Sequence, residues 1–326
     1  FIVSGQVKRE TTLWAVPELK LRQLGDQEFD IIHSVENMTK YCTMLTEQDK
    51  IAYHLEKAWY LANHGRKGPV WLDVPLDIQG AQIDLSIQKH FNPETEMPEA
   101  RVPDIERETV DEVLNRISMA KAPLIFAGYG VRLSGADELL LKAVDKLQVP
   151  VSVAWNSGDL VAYDNAFYAG SPSREGTRGS NFIVQNCDLL LVLGSRMNIR
   201  TVTYNKHDFA KNAYKIMVDI DAEELKKPTF CPDMVVHGDV RRFLEVLLEQ
   251  DYTVREHHTA WVKWCRRMVE KYPACLPEYH GRDKLNPYVF VDELFGCMKE
   301  NDVLTLGNGS ACVMTFQGAK VKQGQR

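Results

Sequence analysis

Three places in the 326-residue chain combine residue types that could hold a phosphate or a nucleotide. The first is Phe126-Ala127-Gly128-Tyr129-Gly130, an apolar run that ends in Gly-x-Gly. Glycines between a strand and a helix let the backbone approach a phosphate or an adenine ring near the positive end of that helix. The same pattern also describes a plain tight turn, and Gly-x-Gly alone does not separate the two. The second place is Gly194-Ser195-Arg196, directly after the apolar run Leu189 to Leu193. Arg196 can make paired hydrogen bonds to a phosphate, with Arg200 able to join it, or can stand as a surface arginine with no ligand. The third is Asp219 and Asp221, two apart at the end of a β-type run, hence on one face. A carboxylate after a strand can take a ribose hydroxyl. Asp221 can equally cap the residues that follow it. Gly128, Tyr129, Gly130, Gly194, Ser195, Arg196, Asp219 and Asp221 form the candidate cofactor-binding set.

Other chemistries find less support. The nine His make no metal-ligand pattern. His257 and His258 are adjacent, so on a helix they diverge by about 100° and do not share an ion easily. No Gly-x-Ser-x-Gly occurs, and Trp261 and Trp264, three apart, read as packing. Seven cysteines (42, 187, 231, 265, 275, 297 and 312) include no Cys-x-x-Cys pair. An odd, scattered set argues against a disulfide framework and for a reducing, cytoplasmic setting.

The elements that must position the candidate residues follow from periodicity. Residues 49 to 64 carry Ile51, Leu55, Ala58, Trp59 and Ala62 at helical spacing, and Pro69 to Pro75 reads as a strand. Helix and strand then alternate: helices at 109–120, 136–147 and 181–187, strands at 123–127, 149–154, 188–194 and 215–221. Repeated αβ steps with apolar strands predict an open parallel sheet with helices on both faces, and ligands at the carboxyl ends of its strands. The expected fold class is therefore α/β, with a doubly wound parallel-sheet middle domain flanked by two partial α/β domains. Pro93, Pro98 and Pro103 mark a linker over 80–104. The middle domain is expected over 105–250, a helical linker over 251–284, and a last α/β piece over 285–326. That piece should hold a helix at 288–299 and a strand at 303–306.

Composition bounds the partners. Hydrophobic residues make up 44% and charged residues 26%, and the net charge is -6. An acidic chain argues against nucleic acid and anionic membranes, both of which select for excess Lys and Arg. No apolar run reaches the roughly 20 residues that span a bilayer. The chain opens on Phe1 with no initiator Met and no visible signal peptide, so the natural N-terminus is expected upstream.

Several segments resemble acetolactate synthases, thiamine-diphosphate-dependent enzymes. Ser4-Gly5-Gln6-Val7 resembles a turn of their pyrimidine-binding domain. Gln27-Glu28-Phe29-Asp30 with Thr39-Lys40-Tyr41, and Gly68 to Pro75, are similar to segments that follow in the same domain. Gly128-Tyr129-Gly130, Glu175-Gly176-Thr177, Gly194-Ser195-Arg196, Asp219-Ile220-Asp221 and Gly238-Asp239-Val240 resemble the middle domain. Asn286-Pro287 and Gly307-Asn308-Gly309 resemble the opening of the diphosphate-binding domain.

The resemblance implies that residues 1–79 are the C-terminal part of a pyrimidine-binding domain and 285–326 the start of a diphosphate-binding domain. It implies thiamine diphosphate and Mg²⁺ in the complete protein, a 2-keto acid substrate such as pyruvate, and a homodimer or homotetramer. The Glu that activates the cofactor is expected upstream of Ser4, so no catalytic residue is assigned here. Gln6 and Gln27 are the candidate active-site lining, and Glu28 belongs to a different motif from the activating Glu. The Gly-Asp-Gly of the Mg²⁺ site is expected beyond Arg326. The family's middle domain binds FAD, and its relatives bind ADP or nothing. Here the run after the apolar strand is Gly194-Ser195-Arg196-Met197-Asn198-Ile199-Arg200. It keeps both Arg of the family pattern and replaces both Asp, which weakens the expectation of FAD. The alternatives are another thiamine-diphosphate lyase or decarboxylase, and a non-catalytic nucleotide-binding module.

Overall fold

The computed structural model describes residues 1–98 and 101–326. Glu99 and Ala100, which fall in the linker expected over 80–104, lie outside the described residues. The chain divides into two compact units, Phe1–Arg101 and Val102–Arg326.

The first unit holds strands β1 (Ile2–Gln6), β2 (Tyr41–Met44) and β3 (Val70–Pro75), parallel and in the order β1-β3-β2. Its helices are α1 (Ile31–Val35), α2 (Ile51–Asn63), α3 (Leu76–Gln79) and α4 (Pro93–Glu96). Helix α2 ends where His64 leaves helical conformation and Gly65 takes a φ of +58°, a left-handed value that glycine adopts without strain. Ala58 and Leu61 of α2 pack on Val70 and Leu72 of β3, with Leu45 and Ile78 closing the cluster. Ser4 to Gln6, expected in a turn, lie instead in β1, with Ser4 opposite Asp73 and Gln6 opposite Pro75. Pairing with a distant strand overrides the turn signal of Gly5, as strand formation commonly does.

The second unit is built on β4 (Pro123–Ala127), β5 (Val151–Val153), β6 (Leu189–Leu193), β7 (Tyr214–Asp219) and β8 (Met234–His237). All pairs are parallel, and the order is β5-β4-β6-β7-β8. A further segment flanks β5: Val151 bridges Tyr168, and Val153 donates to the Gly170 carbonyl at 3.0 Å. Counting that segment as a strand, the order is 3-2-1-4-5-6, that of dinucleotide-binding sheets. The chain reverses direction across the sheet between β4 and β6, which makes their carboxyl ends the switch point.

Helices cover both faces. They are α5 (Arg107–Met119), α6 (Tyr129–Leu133), α7 (Asp137–Leu147), α8 (Arg178–Asn186), α9 (Ile199–Val202), α10 (Val240–Glu249), α11 (His258–Lys271), α12 (Pro287–Cys297) and α13 (Ser310–Gly318). Alternate strand residues point to opposite faces. Ile125, Ala127, Leu189, Leu191 and Leu193 pack with α5, α7 and α10, while Leu124, Phe126, Leu190 and Val192 pack with α8 and α11. Every residue of β4 and β6 is buried, which is why these strands read as continuous apolar runs. At roughly 1.5–3 kcal/mol per fully buried large apolar side chain, this double-sided core dominates the unit's stability.

Two expectations for this unit are corrected. Residues 303–306 form no strand: the backbone there makes an isolated pairing rather than a ladder, Leu304 donating to Arg326 at 2.7 Å and Arg326 to Asp302 at 3.1 Å. A strand needs neighbours along its length. The strand expected over 149–154 shortens to Val151–Val153.

Candidate functional site

The structure brings Gly128, Gly130 and Gly194 together at the switch point. Gly128 precedes α6 and donates to the Leu193 carbonyl at 2.8 Å; Gly130 donates to Gly194 at 2.9 Å; Gly194 donates to Val218 at 3.0 Å. A Cβ on Gly128 would lie 2.4 Å from the Gly194 oxygen, and one on Gly130 2.7 Å from the Gly194 Cα. Gly194 itself has a φ of +56°. The glycines therefore let the turn after β4 and the turn after β6 touch backbone to backbone. Ser195 is buried at that contact, and Tyr129 is exposed.

The charged candidates are tied to neighbours, though the Arg196 side chain stays 58% exposed. Arg196 Nε donates to Glu224 at 2.6 Å, and the Lys227 ammonium bonds both Glu224 and the Arg196 carbonyl. Burial alone pushes the Glu224 carboxyl up, but the Lys227 and Arg196 cations outweigh it and hold it below its ordinary range. Asp219 accepts the Asp221 N–H at 3.0 Å, and Asp221 accepts the Glu223 N–H at 3.0 Å. A diphosphate needs donors aimed outward. The three glycine N–H groups and the Arg196 Nε are engaged within the protein, which leaves fewer donors at the switch point for a dinucleotide's phosphates.

A second group, which sequence reading passed over, lies at the ends of β5 and the segment beside it. Trp155 Nε1, Ser157 Oγ, Ser171 Oγ, Ser173 Oγ and Glu175 Oε2 are buried without a hydrogen-bond partner. Arg200 lies over the Trp155 ring, 4.9 Å from its centroid, and its carbonyl accepts from Arg174 at 3.1 Å. A Cβ on Gly176 would meet the Ser171 oxygen at 2.3 Å, so the turn that carries these serines requires glycine there. Closely spaced Ser171 and Ser173 before Gly176 were the available signal. A nearby cleft bordered by Tyr163, Thr177, Tyr272, Asp292 and Lys320 encloses about 40 Å³, room for about one water.

In the first unit Gln6 straps two strands. Its Nε2 donates to Asp73 at 2.9 Å and to the Phe29 carbonyl at 2.8 Å. Ser4 Oγ donates to Asp73 at 2.6 Å and accepts from Trp71 Nε1 at 2.7 Å. Gln27 is exposed. Glu28 is buried, and its carboxylate accepts the backbone N–H groups of Leu13, Leu24 (2.7 Å) and Gly25 (3.2 Å). That carboxylate organises its own loop. Tyr41 and His54 form a further pair at 2.6 Å, with burial pushing the phenol up to about 12. The Lys57 ammonium lies over the rings of Tyr41, Tyr53 and Phe91. Among the described residues no group of three or more His, Cys, Asp or Glu is placed to hold a metal ion, and no helix is long and apolar enough to cross a membrane.

Residues 110–247, which run from α5 through α10, match the family of thiamine pyrophosphate enzyme central domains. The chain is 26% identical to acetolactate synthase isozyme 1 large subunit of Escherichia coli (strain K12), over 89% of this chain and 50% of that protein. It is 29% identical to a probable acetolactate synthase large subunit of Methanocaldococcus jannaschii, over 85% of this chain and 46% of that protein. It is 30% identical to the acetolactate synthase large subunit of Lactococcus lactis subsp. lactis, over 76% of this chain and 42% of that protein. The chain spans about half the length of these relatives. Residues 110–247 thus carry a thiamine pyrophosphate enzyme central domain. Across most of its length the chain is similar to acetolactate synthase large subunits.

Proposed function

We propose that the protein carrying this chain decarboxylates a 2-keto acid of the pyruvate type and joins the remaining fragment to an acceptor carbonyl. The observation that carries this reading is the match to acetolactate synthase large subunits along most of the chain, in register with the parallel sheet of the second unit. Thiamine diphosphate, held with Mg²⁺, supplies the electron sink for such chemistry. On this reading residues 1–79 close a pyrimidine-binding domain, 105–250 are the middle domain, and 285–326 open a diphosphate-binding domain. The complete protein is a homodimer or homotetramer working on a small keto acid in the cytoplasm. Seven free thiols suit that compartment.

The 326 residues alone are inactive on this reading. Their described carboxylates are not grouped to hold the cation, and Glu28 is engaged by three backbone N–H groups. A well-placed acid or base contributes about 10²–10⁴-fold. The chain, assayed with pyruvate, thiamine diphosphate and Mg²⁺, therefore gives no acetolactate above background, whereas the whole gene product does. Acetolactate from the chain alone would overturn the assignment of its residues; none from the whole product would overturn the function. A flavin or adenine nucleotide binds the middle domain weakly at most on this reading, and an absorption spectrum of purified protein checks it.

A further inference from the structure

α11 starts at an unusual contact. His257 Nε2 and His258 Nε2 lie 3.0 and 2.9 Å from one acceptor, the carbonyl of Ala120 that caps the end of α5. The two rings meet edge to face at 4.5 Å. A carbonyl has two lone pairs, so it accepts both N–H groups, which places the proton of each imidazole on Nε2. The two residues then differ. His257 is exposed, whereas His258 is 1% exposed and its Nδ1 is buried with no hydrogen-bond partner.

A second proton on His258 must go to that Nδ1. It would place a charged N–H where no acceptor waits and water does not reach, a costly arrangement. It would also place a cation in the first turn of a 14-residue helix, at the positive end of its dipole. The charged and titratable groups that face His258 are His257 and Arg255 from its own segment and Asp188 from the start of β6. Asp188 favours the proton, but its carboxylate already accepts the Lys121 and Ala122 N–H groups, each at 2.8 Å. The Ala120 carbonyl also favours it, His257 and Arg255 oppose it, and burial outweighs them all, so the net preference is for the neutral ring.

We propose that His258 is a proton-operated latch for α11: neutral, it seats the helix start on the α5–β4 connection, and protonated, it lets that end go. What the latch holds down is substantial. Trp261, Cys265, Met268 and Val269 of α11 cover, together with α8, one face of the sheet, and Trp261 Nε1 donates to the Pro123 carbonyl at 2.8 Å, one turn from the latch. Acidification would therefore bare an apolar face of the central domain.

Burial, the largest cause, holds the His258 imidazole below its ordinary value of 6.5. The neutral form is the one the fold prefers, so the latch is fully closed above pH 6.5 and opens as pH falls toward the lowered value. The test is hydrogen exchange, read by mass spectrometry on peptides covering 256–271, at pH 7.5 and pH 5.5 with intrinsic rates corrected. The wild-type chain should lose protection there by up to about tenfold, the ceiling set by the gap between the ordinary value of 6.5 and the lower test pH, while β6 peptides keep theirs. His258→Gln keeps an amide donor for Ala120 and takes no proton, so its protection should not change with pH; His257→Gln should retain the wild-type loss. An equal loss in His258→Gln overturns the proposal, as does no loss in the wild type. Should His258→Gln fail to fold, the wild-type His258 ring proton is titrated by NMR. A midpoint below 6.5 that coincides with the exchange transition supports the latch, and a midpoint at or above 6.5 ends it.

Discussion

The two sheets of this chain are both parallel, and they are stabilised in different ways. In the second unit, β4 and β6 are buried at every residue and covered by helices on both faces. In the first, β1 has no buried residue, and Ile2 and Val3 are exposed along with Trp59 and Leu55 of α2. What ties β1 to β3, beyond the ladder, is the polar knot of Asp73, Ser4, Gln6 and Trp71. The contrast teaches that a parallel sheet can be held either by apolar burial on both sides or by a few buried hydrogen bonds beneath an open surface. Parallel sheets are ordinarily covered on both faces. Exposed apolar strand surface of this kind marks a surface that another chain or segment covers.

Substitutions can break or sharpen that contrast. The largest effect should come from Phe126→Ala, which empties a fully buried site between β4 and α11's face of the sheet. It should cost about 4 kcal/mol in urea denaturation, with loss of exchange protection across 105–250. Gly128→Ala comes next, at about 3 kcal/mol by the same measurement, because its new methyl has backbone on the far side and nowhere to move. An equally stable Gly128→Ala protein would show that the two switch-point turns can part, and would reopen the turn as a phosphate site. In the first unit, Asp73→Ala removes the buried acceptor that the half-buried Ser4 and Gln6 donors share. It should cost about 2 kcal/mol, seen as faster exchange in β1 with β4 to β6 unchanged. If protection in β4 fell as well, the contrast between the units would fail.

The smallest effect is electrostatic. The fold favours the ionised form of Glu224, because Lys227 and Arg196 outweigh its burial. Its contribution is whole above the ordinary value of 4.5 and is lost as pH falls through the lowered one. Thermal melts of Glu224→Gln should therefore lie below wild type at neutral pH and converge with it at acid pH. Parallel curves would show that the carboxylate is not the group that senses acid here.

What could be read in the sequence follows the same division. The central strands were legible because burial on both faces writes them as unbroken apolar runs, Leu189 to Leu193 above all. β1, β2 and β8 were not, because half-exposed strands with Gly5, Thr43 or His237 in them carry no such run, and their pairing is decided by partners far along the chain. The false strand at 303–306 shows the converse: an apolar run whose single pairing, Leu304 to Arg326, does not extend into a ladder. At the site, glycine positions and the Arg196 and Asp219 neighbourhoods were legible as places. What those residues bond to was not, since Glu224, Lys227 and the touching turns are brought in by the fold. The buried serines near Trp155 escaped notice because single hydroxyls have no pattern until burial isolates them.

The Asp188 staple has a consequence in time. Its carboxylate joins backbone 66 residues upstream at Ala122, beside the β4–β6 ladder that forms the middle of the sheet. Loop closure of that length precedes any reward from the central pairing, and contacts so distant in sequence slow folding. During synthesis β4 emerges long before its main neighbour. The nascent chain must therefore carry β4, α7 and β5 as a partial layer with one apolar face bare until β6 arrives, which is when it most needs shielding from other chains.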